Sequence, residues 1–516
     1  MTRPQRSITS IVAKNSFWYG LELALGIATA FATSIPLARV FGPEKLGYFS
    51  YVFWLTNLSG TLGSLGMAGA TQKYMAEHLN RGNGGIARAI FFATLKLQGL
   101  VTIAITASGL VLVFVTTDPA QRGIAAWLVL SLLPAMMVTI PAGANVAAEN
   151  MRANSNASLA GYAVNITAVV LSLTLGWGLF GVAAGVFAYR CVDSSIKMWS
   201  AMRWIKNLPK EELPAAVREK LVKFSSYNLV LLLLNMIVWD RSDVVFLKAL
   251  SSDIAQVSFY TVAFNLTEKI QMLPSAVAAA VGASIKAQYG RDASRLPQIT
   301  SVATWYFFLF GLPLMTGLAV VSSSVIPMLY GQRYLQAIPV LAVAALFAIP
   351  RCYMPAWDLL QASEQQRFLT LWMVVCAVVN VALDIWLIPK HGALGAAFAN
   401  GLAQLAAAMG VILGARSLCN VRFRMASYAK AAFCALIMAG AVGLLSMTWP
   451  GWAFLPLHIA AGALVFFIAL RFASVFEVDD QSRLLLLRSF VPSALRGLFE
   501  RAVAFLVPAK TRPAES

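Results

Sequence analysis

The sequence predicts an all-α integral membrane protein of about fourteen transmembrane helices, built as two pseudo-symmetric six-helix lobes plus a C-terminal helix pair. From Val12 to Phe472 the chain is a succession of long apolar segments broken only by short polar connections. Each holds about twenty or more residues, which at ~1.5 Å per residue matches a hydrocarbon layer ~30 Å thick. The composition agrees: 59% of residues are hydrophobic, 12% are charged and the mean hydropathy is +0.71. Soluble domains carry about 25% charged residues. The third observation is an internal repeat, which divides the first twelve segments into two sixes.

In chain order the spans fall at 12–38, 46–70, 86–115, 123–145, 155–177, 179–204, 223–249, 254–283, 298–321, 336–359, 368–388, 392–415, 428–448 and 452–473. No water is available at bilayer depth, so each backbone amide must be paired within its segment or in a closed barrel. Unbroken apolarity without strict alternation selects helices. Between the first two spans, Gly42 permits a tight reversal, while Pro43 and Glu44 suit the start of the next helix. In the second span Gly60, Gly63, Gly66 and Gly69 make a small-residue face for close approach to a neighbour. Pro274 in the eighth span and Pro350 and Pro355 in the tenth mark expected kinks. Arg190, Asp193 and Lys197 in the sixth read as a structural ion-pair row.

A net charge of +18 suggests nucleic acid in a soluble protein, but here the placement of Lys and Arg follows the membrane. With the N-terminus inside, 29 of the 40 lie in or beside cytoplasmic segments, six in the opposite loops and five inside spans. By the positive-inside rule both termini are cytoplasmic. No cleavable signal precedes the first span, because residues 1–11 are polar and no small-residue cleavage site follows. After the last span, residues 474–507 intersperse Arg483, Arg488, Arg496 and Arg501 with apolar side chains. That pattern reads as an amphipathic helix on the anionic inner leaflet. The five cysteines lack paired spacing, and His78, His391 and His458 sit near span ends, so neither disulfides, a metal nor any cofactor is expected.

Shifting the chain by 209 residues lays Lys14, Ser16 and Trp18 over Lys223, Ser225 and Tyr227, and Arg39, Glu44 and Tyr51 over Lys248, Asp253 and Tyr260. At 215, Ala147, Glu149 and Arg152 fall on Ala362, Glu364 and Arg367, and at 214 Gly178, Gly181 and Ala183 fall on Gly392, Gly395 and Ala397. The predicted organisation is therefore an N-terminal lobe at 1–204, a cytoplasmic linker at 205–222, a C-terminal lobe at 223–415, a helix pair at 428–473 and a cytoplasmic basic amphipathic tail at 474–516. An even number of spans per lobe gives both the same orientation, related by an axis along the bilayer normal. Two such lobes suit alternating access, and no nucleotide-binding motif occurs in the loops.

The run Asn15-Ser16-Phe17-Trp18, the turn Arg39-Val40-Phe41-Gly42-Pro43-Glu44 and the string Leu387-Ile388-Pro389 followed by Gly392 and Gly395 resemble the bacterial polysaccharide flippases. These are lipid-linked oligosaccharide exporters of the multidrug/oligosaccharidyl-lipid/polysaccharide superfamily. The resemblance spans essentially the whole chain, and of its motifs the turn at Arg39–Glu44 is the most specific. It implies a fold of fourteen helices and a central cavity lined by the first, second, seventh and eighth spans.

Ionisable side chains at bilayer depth cost about 2.5–3.5 kcal/mol each, so each needs a partner, a wet cavity or a function. Arg241, Lys269, Lys96 and Arg351 are the candidates for binding a diphosphate, whose oxygens accept charge-assisted hydrogen bonds. Static neutralisation of nearby carboxylates is the competing reading. Glu22, Asp240, Asp243 and Glu268 are candidates for proton or cation coupling, since Asp240 and Asp243 share a helix face where repulsion and burial favour protonation. Arg39 and Glu44 shape the external turn and are candidates for gating.

The expected function is movement of an undecaprenyl-diphosphate-linked oligosaccharide across the bacterial inner membrane for O-antigen, capsule or exopolysaccharide assembly, without enzymatic chemistry. The expected partners are that lipid, membrane lipids, a polysaccharide polymerase and other export components, with no nucleic acid. The alternatives are a peptidoglycan-precursor flippase or a cation-coupled drug exporter of the same superfamily, and, from another class, an integral-membrane glycosyltransferase or ligase.

Overall fold

The computed structural model describes residues 8–239, 242–289, 293–477, 480–481, 484–485 and 496–507, with side chains described outside 8–17, 19, 273–289, 293 and 498. Helices α1 (Ile8–Gly63), α2 (Met67–Asn80), α3 (Gly84–Thr116), α4 (Pro119–Leu130), α5 (Leu132–Met137), α6 (Thr139–Ala147), α7 (Met151–Thr174) and α8 (Gly178–Ile205) come first. They are followed by α9 (Ala215–Trp239), α10 (Asp243–Leu250), α11 (Ala255–Tyr289), α12 (Leu296–Val320), α13 (Ser322–Tyr330), α14 (Ala337–Ala348) and α15 (Met354–Ala362). The last are α16 (Gln366–Leu418), α17 (Met425–Thr448), α18 (Leu455–Phe472) and α19 (Arg496–Leu506). Among the described residues, eleven stretches are long and apolar enough to cross a membrane. The stretches Gly20–Gly63 and Gln366–Leu418 are each long enough for two crossings, and α11 supplies another, so the count reaches the expected fourteen. The protein is a multi-pass helical membrane protein.

Both double-length helices bend at a glycine. Gly42 in α1 and Gly392 in α16 leave helical geometry at φ 73° and 54°, a region that favours glycine. The expected reversal at Gly42 is thus present. Pro350 lies in a 3₁₀ turn, Ile349–Tyr353, that separates α14 from α15, while α11 continues through Pro274.

The internal repeat is legible in backbone detail. Glu149 and Glu364, aligned by the 215-residue shift, both adopt left-handed geometry, at φ 58° and 59°. Each ends a helix, and in each the next amide reaches back five residues: Asn150 to the carbonyl of Asn145, Gln365 to that of Leu360. This is the Schellman arrangement, which satisfies carbonyls that a helix end leaves open. Two acidic residues sharing an uncommon conformation at equivalent places are hard to ascribe to coincidence.

By its contacts the chain divides into two compact units, Met1–Ser258 and Phe259–Ser516, so α9 and α10, which the repeat assigns to the second half, count with the first unit. In the first unit, Met67, Met75, Ile90, Phe91, Ile140 and Ile205 form a buried cluster that also receives Leu213 and Val217 from the linker and the start of α9. Arg88 helps to fix the linker by donating to the carbonyls of Lys206 and Leu208, both at 2.7 Å.

In the second unit, glycines on the latter half of α16 receive large rings. Gly401 lies against Phe347, Gly410 against the indole of Trp372 and Gly414 against Phe368. The Trp372 indole donates to the carbonyl of Ala406 at 3.1 Å. Without a hydrophobic drive between helices in lipid, such close fitting and hydrogen bonding supply the association energy.

Candidate functional site

The broken tenth span builds a small chamber within the second unit, lined by apolar side chains and a group of polar ones. The 3₁₀ turn at Ile349–Tyr353 presents Arg351, which meets Thr267 and Glu268 from α11 and Asn400 and Gln404 from α16. Arg351 Nε donates to Gln404 Oε1 at 3.3 Å, and Gln404 Nε2 donates to Asn400 Oδ1 at 2.5 Å. Asn400 and Gln404 are buried. The chamber's free volume is about 20 Å³. A single water needs ~10–15 Å³ measured this way, so the chamber admits a water or a small ion but not a diphosphate. Two candidates that the sequence placed in different roles, Glu268 and Arg351, thus line one cavity.

A polar seam runs through the first unit where α1, α7 and α8 meet. The Ser155 hydroxyl donates to Glu22 Oε2 at 2.9 Å and also approaches the carbonyl of Trp18 at 3.2 Å. One turn beyond Glu22, Gly26 makes room for the Tyr162 phenol. Lys197 and Asp193 pair at 2.7 Å, and the Lys197 ammonium donates to Ser158 Oγ at 3.0 Å. The expected ion-pair row therefore holds for these two.

Arg190 corrects that expectation. Its guanidinium turns from Asp193 to Asn57 Oδ1 at 2.9 Å and Ser131 Oγ at 3.0 Å, with the Phe53 ring centre 5.4 Å away. Ser131 stands where α4 gives way to α5, with Pro134 three residues on. Proline lacks the amide that would pair with the carbonyl four residues before it, that of Leu130, and so interrupts the helix at this point. The Ser131 hydroxyl and the Asn57 side chain together outweigh a same-face partner on α8.

The remaining candidates stand on separate elements or outside the described residues. Asp240 and Arg241 lie outside the described residues. Asp243 opens α10 and is fully buried. Lys96 is exposed on α3 beside exposed Phe92, Leu97 and Leu100. Lys269 is half-buried, its ammonium 3.9 Å from Met272 Sδ. Arg39 and Glu44 are exposed on either side of the Gly42 bend.

Two polar groupings escaped the sequence reading. Asn380 and Asp384 are fully buried one turn apart on α16, with Asn380 Nδ2 3.4 Å from Asp384 Oδ2. The i, i+4 spacing was the available signal, but Asp384 stands four residues from the predicted span end, where a carboxylate is ordinarily wetted. The other lies beyond the last span. Asp480, fully buried, accepts Arg424 Nη1 at 2.9 Å, Arg424 Nη2 at 3.1 Å, the Tyr306 hydroxyl at 3.0 Å and the Glu477 amide at 3.0 Å. Burial by itself raises the Asp480 carboxyl; the donors from Arg424, Glu477 and Tyr306 outweigh it and hold the group below its usual range. The hydrogen bonds to Asp480, against the opposing effect of burial, push the Arg424 guanidinium up.

Helical stretches that supply fourteen crossings and an internal repeat define a multi-pass helical membrane protein. The solved structures similar to the chain are of that class. A lipid II flippase MurJ in an inward closed conformation matches with TM-score 0.71 at 14% identity, covering 93% of this chain and 100% of that one. An inward-facing multidrug resistance MATE family transporter of the MOP superfamily matches with TM-score 0.62 at 16% identity, covering 76% and 94%. A MOP superfamily transporter from Pyrococcus furiosus matches with TM-score 0.58 at 15% identity, covering 80% and 96%. These likenesses establish a shared fold. No curated protein matches by sequence. The profile of the polysaccharide biosynthesis protein family matches residues 36–339, more than half of the chain, and the protein belongs to that family.

Proposed function

We propose that the protein is a flippase that carries an undecaprenyl-diphosphate-linked oligosaccharide from the cytoplasmic to the periplasmic leaflet of the inner membrane, for O-antigen, capsule or exopolysaccharide assembly. The observation that carries this reading is the polysaccharide-biosynthesis family match on a fold shared with MOP transporters. A polysaccharide family member with a carrier's architecture has a natural task in moving the precursor, not in forming its glycosidic bonds. Lys96, Lys269 and Arg241 are the proposed cations for the diphosphate, since burying a naked diphosphate in hydrocarbon is prohibitive. Arg351 is assigned with Glu268 to a small-ion or proton site, because their shared chamber is too small for a headgroup. Both termini are cytoplasmic in this reading, and a polymerase and other export components receive the product.

The peptidoglycan-precursor flippase is the second reading, favoured by the similarity to MurJ over the full length of that chain. Deletion of the gene separates the two. A polysaccharide flippase leaves lipid-linked repeat units accumulating on the cytoplasmic leaflet while growth of the wall continues. Arrest of wall synthesis with normal surface polysaccharide would overturn the first reading in favour of the second.

A further inference from the structure

We propose that α2 and the first turns of α9 form the inner gate of the carrier, a glycine-lined clasp that holds the cytoplasmic end shut in this conformation and parts once in each cycle. The proposal rests on the carrier reading above. By the 209-residue repeat, α9 begins the second half of the protein as α1 begins the first, so a contact between α2 and α9 joins spans of the two halves.

The contact is built for close approach. Leu65 and Gly66 break the helix between α1 and α2 with left-handed φ of 48° and 66°. A Cβ on Gly66 would overlap the Ser225 carbonyl oxygen and come 2.8 Å from the Leu229 amide nitrogen. One on Gly69 would come 2.9 Å from Asn228 Nδ2. In the space those absences create, Asn228 Nδ2 donates to the carbonyl of Gly66 at 3.1 Å. One turn along, the Phe224 ring meets Tyr74 edge-on at 5.9 Å and carries the Lys73 ammonium 4.5 Å from its centre. Gln98 of α3 donates to the carbonyl of Gly63 at 3.1 Å and so fixes the break from behind.

Among the described residues the clasp carries a neutral hydrogen bond and a cation–π contact, beside the apolar packing of Leu221 with Met67 and Ala70. The two polar contacts are individually weak and the apolar packing is non-directional, which suits a contact that has to part. Elsewhere in the unit a helix interface carries a charged pair, Asp193 with Lys197, linked to Ser158 of α7. The same crossing meets the second half at its other end, where Gly47 admits the carbonyl of Ile254. Gly47 and Gly66 are nineteen residues apart, ~28 Å along a helix, about the thickness of the hydrocarbon layer. Opening the inner clasp while the outer one stays closed gives access to one side only.

The test replaces Cys191, Cys352, Cys376, Cys419 and Cys434 by Ala and adds Gly69→Cys with Asn228→Cys. Proteoliposomes are then assayed for transfer of a fluorescent undecaprenyl-diphosphate-linked sugar, with the pair oxidised or reduced. The gate requires transfer to fall to the protein-free rate on oxidation and to return with reductant. Equal transfer in both states would mean that α9 travels with α2 as one body, and the proposal is overturned. If the reduced and cysteine-free proteins both fail to move the lipid, the carrier reading is at fault, and the gate is judged without substrate. Spin labels on Gln72→Cys and Tyr227→Cys, both exposed positions, must then show two distance populations in nanodiscs. A single population there sinks the gate.

Discussion

Asp480→Ala gives the most quantitative check on the second unit. The carboxylate accepts hydrogen bonds from both arms of the Arg424 fork, from Tyr306 and from the Glu477 amide and is fully buried, while the Arg424 side chain is 17% exposed. Truncation leaves the guanidinium mostly desolvated, with Glu477 at 3.2 Å as the remaining ion-pair partner among the described residues, and removes the tie between α12, α17 and the segment after α18. Breaking a buried pair from one side costs ~3–5 kcal/mol, more than two decades in an unfolding equilibrium. The assay is equilibrium unfolding in mixed micelles, followed by the fluorescence of tryptophans such as buried Trp305, whose ring packs 5.0 Å from Tyr428.

A double-mutant cycle with Arg424→Gln reads the coupling directly. The pH dependence has a defined sign. A carboxyl held below its unfolded value of ~3.9 stabilises the fold fully above that pH and loses its contribution as pH falls through the lower folded value. Asp480→Asn should abolish this acid-limb dependence. A loss below ~1 kcal/mol for Asp480→Ala, with no coupling to Arg424, would refute the clamp as a stabilising element.

Three further outcomes are expected. Gly401→Leu forces a branched side chain into the Phe347 ring and should cost ~1–3 kcal/mol by overpacking in the same unfolding assay, where Gly440→Leu, which meets nothing within 4 Å, should be tolerated. Arg190→Met removes the donor to Asn57 and Ser131 and should destabilise by ~1–3 kcal/mol, whereas Lys197→Met acts through loss of the Asp193 pair; equal insensitivity of both would count against the seam. Glu268→Gln keeps the size of the side chain in the Arg351 chamber but removes its charge, and should flatten the pH profile of lipid transfer in proteoliposomes without loss of folding. An unchanged profile would remove Glu268 from the coupling role.

Local features of the fold were legible in the sequence, and long-range pairings were not. Gly42 followed by Pro43, and Gly392 after Pro389, announced two bends because a positive φ and a missing amide act within a few residues. The repeat carried Glu149 and Glu364 to one conformation because the same helix end recurs. Arg351 and Glu268 stand on different spans, and no spacing rule reveals that a 3₁₀ turn brings them to a common chamber. The Asp480 clamp joins residues 306, 424 and 480. From the sequence that region read as basic amphipathic surface, and no spacing rule links Asp480 to Tyr306 and Arg424. In α19 the amphipathic reading has a counterpart: Val503 is buried, Arg501 is exposed, and Phe505 stacks on Phe467 of α18 with ring centres 5.7 Å apart. Arg190 shows the limit of helical spacing as a guide, because side-chain acceptors on neighbouring helices outweigh the carboxylate on its own face.

Carriage of an anionic lipid headgroup is tested most directly by leaflet accessibility. Purified protein is reconstituted into vesicles with a fluorophore-labelled undecaprenyl-diphosphate-linked oligosaccharide, and an impermeant quencher is added outside. A flippase exposes the inner-leaflet pool, so quenching proceeds well past the outer-leaflet fraction, while a matched uncharged polyprenyl glycoside stays protected. Quenching that stops at the outer-leaflet fraction with and without protein, in vesicles where the protein is folded, would contradict the claim.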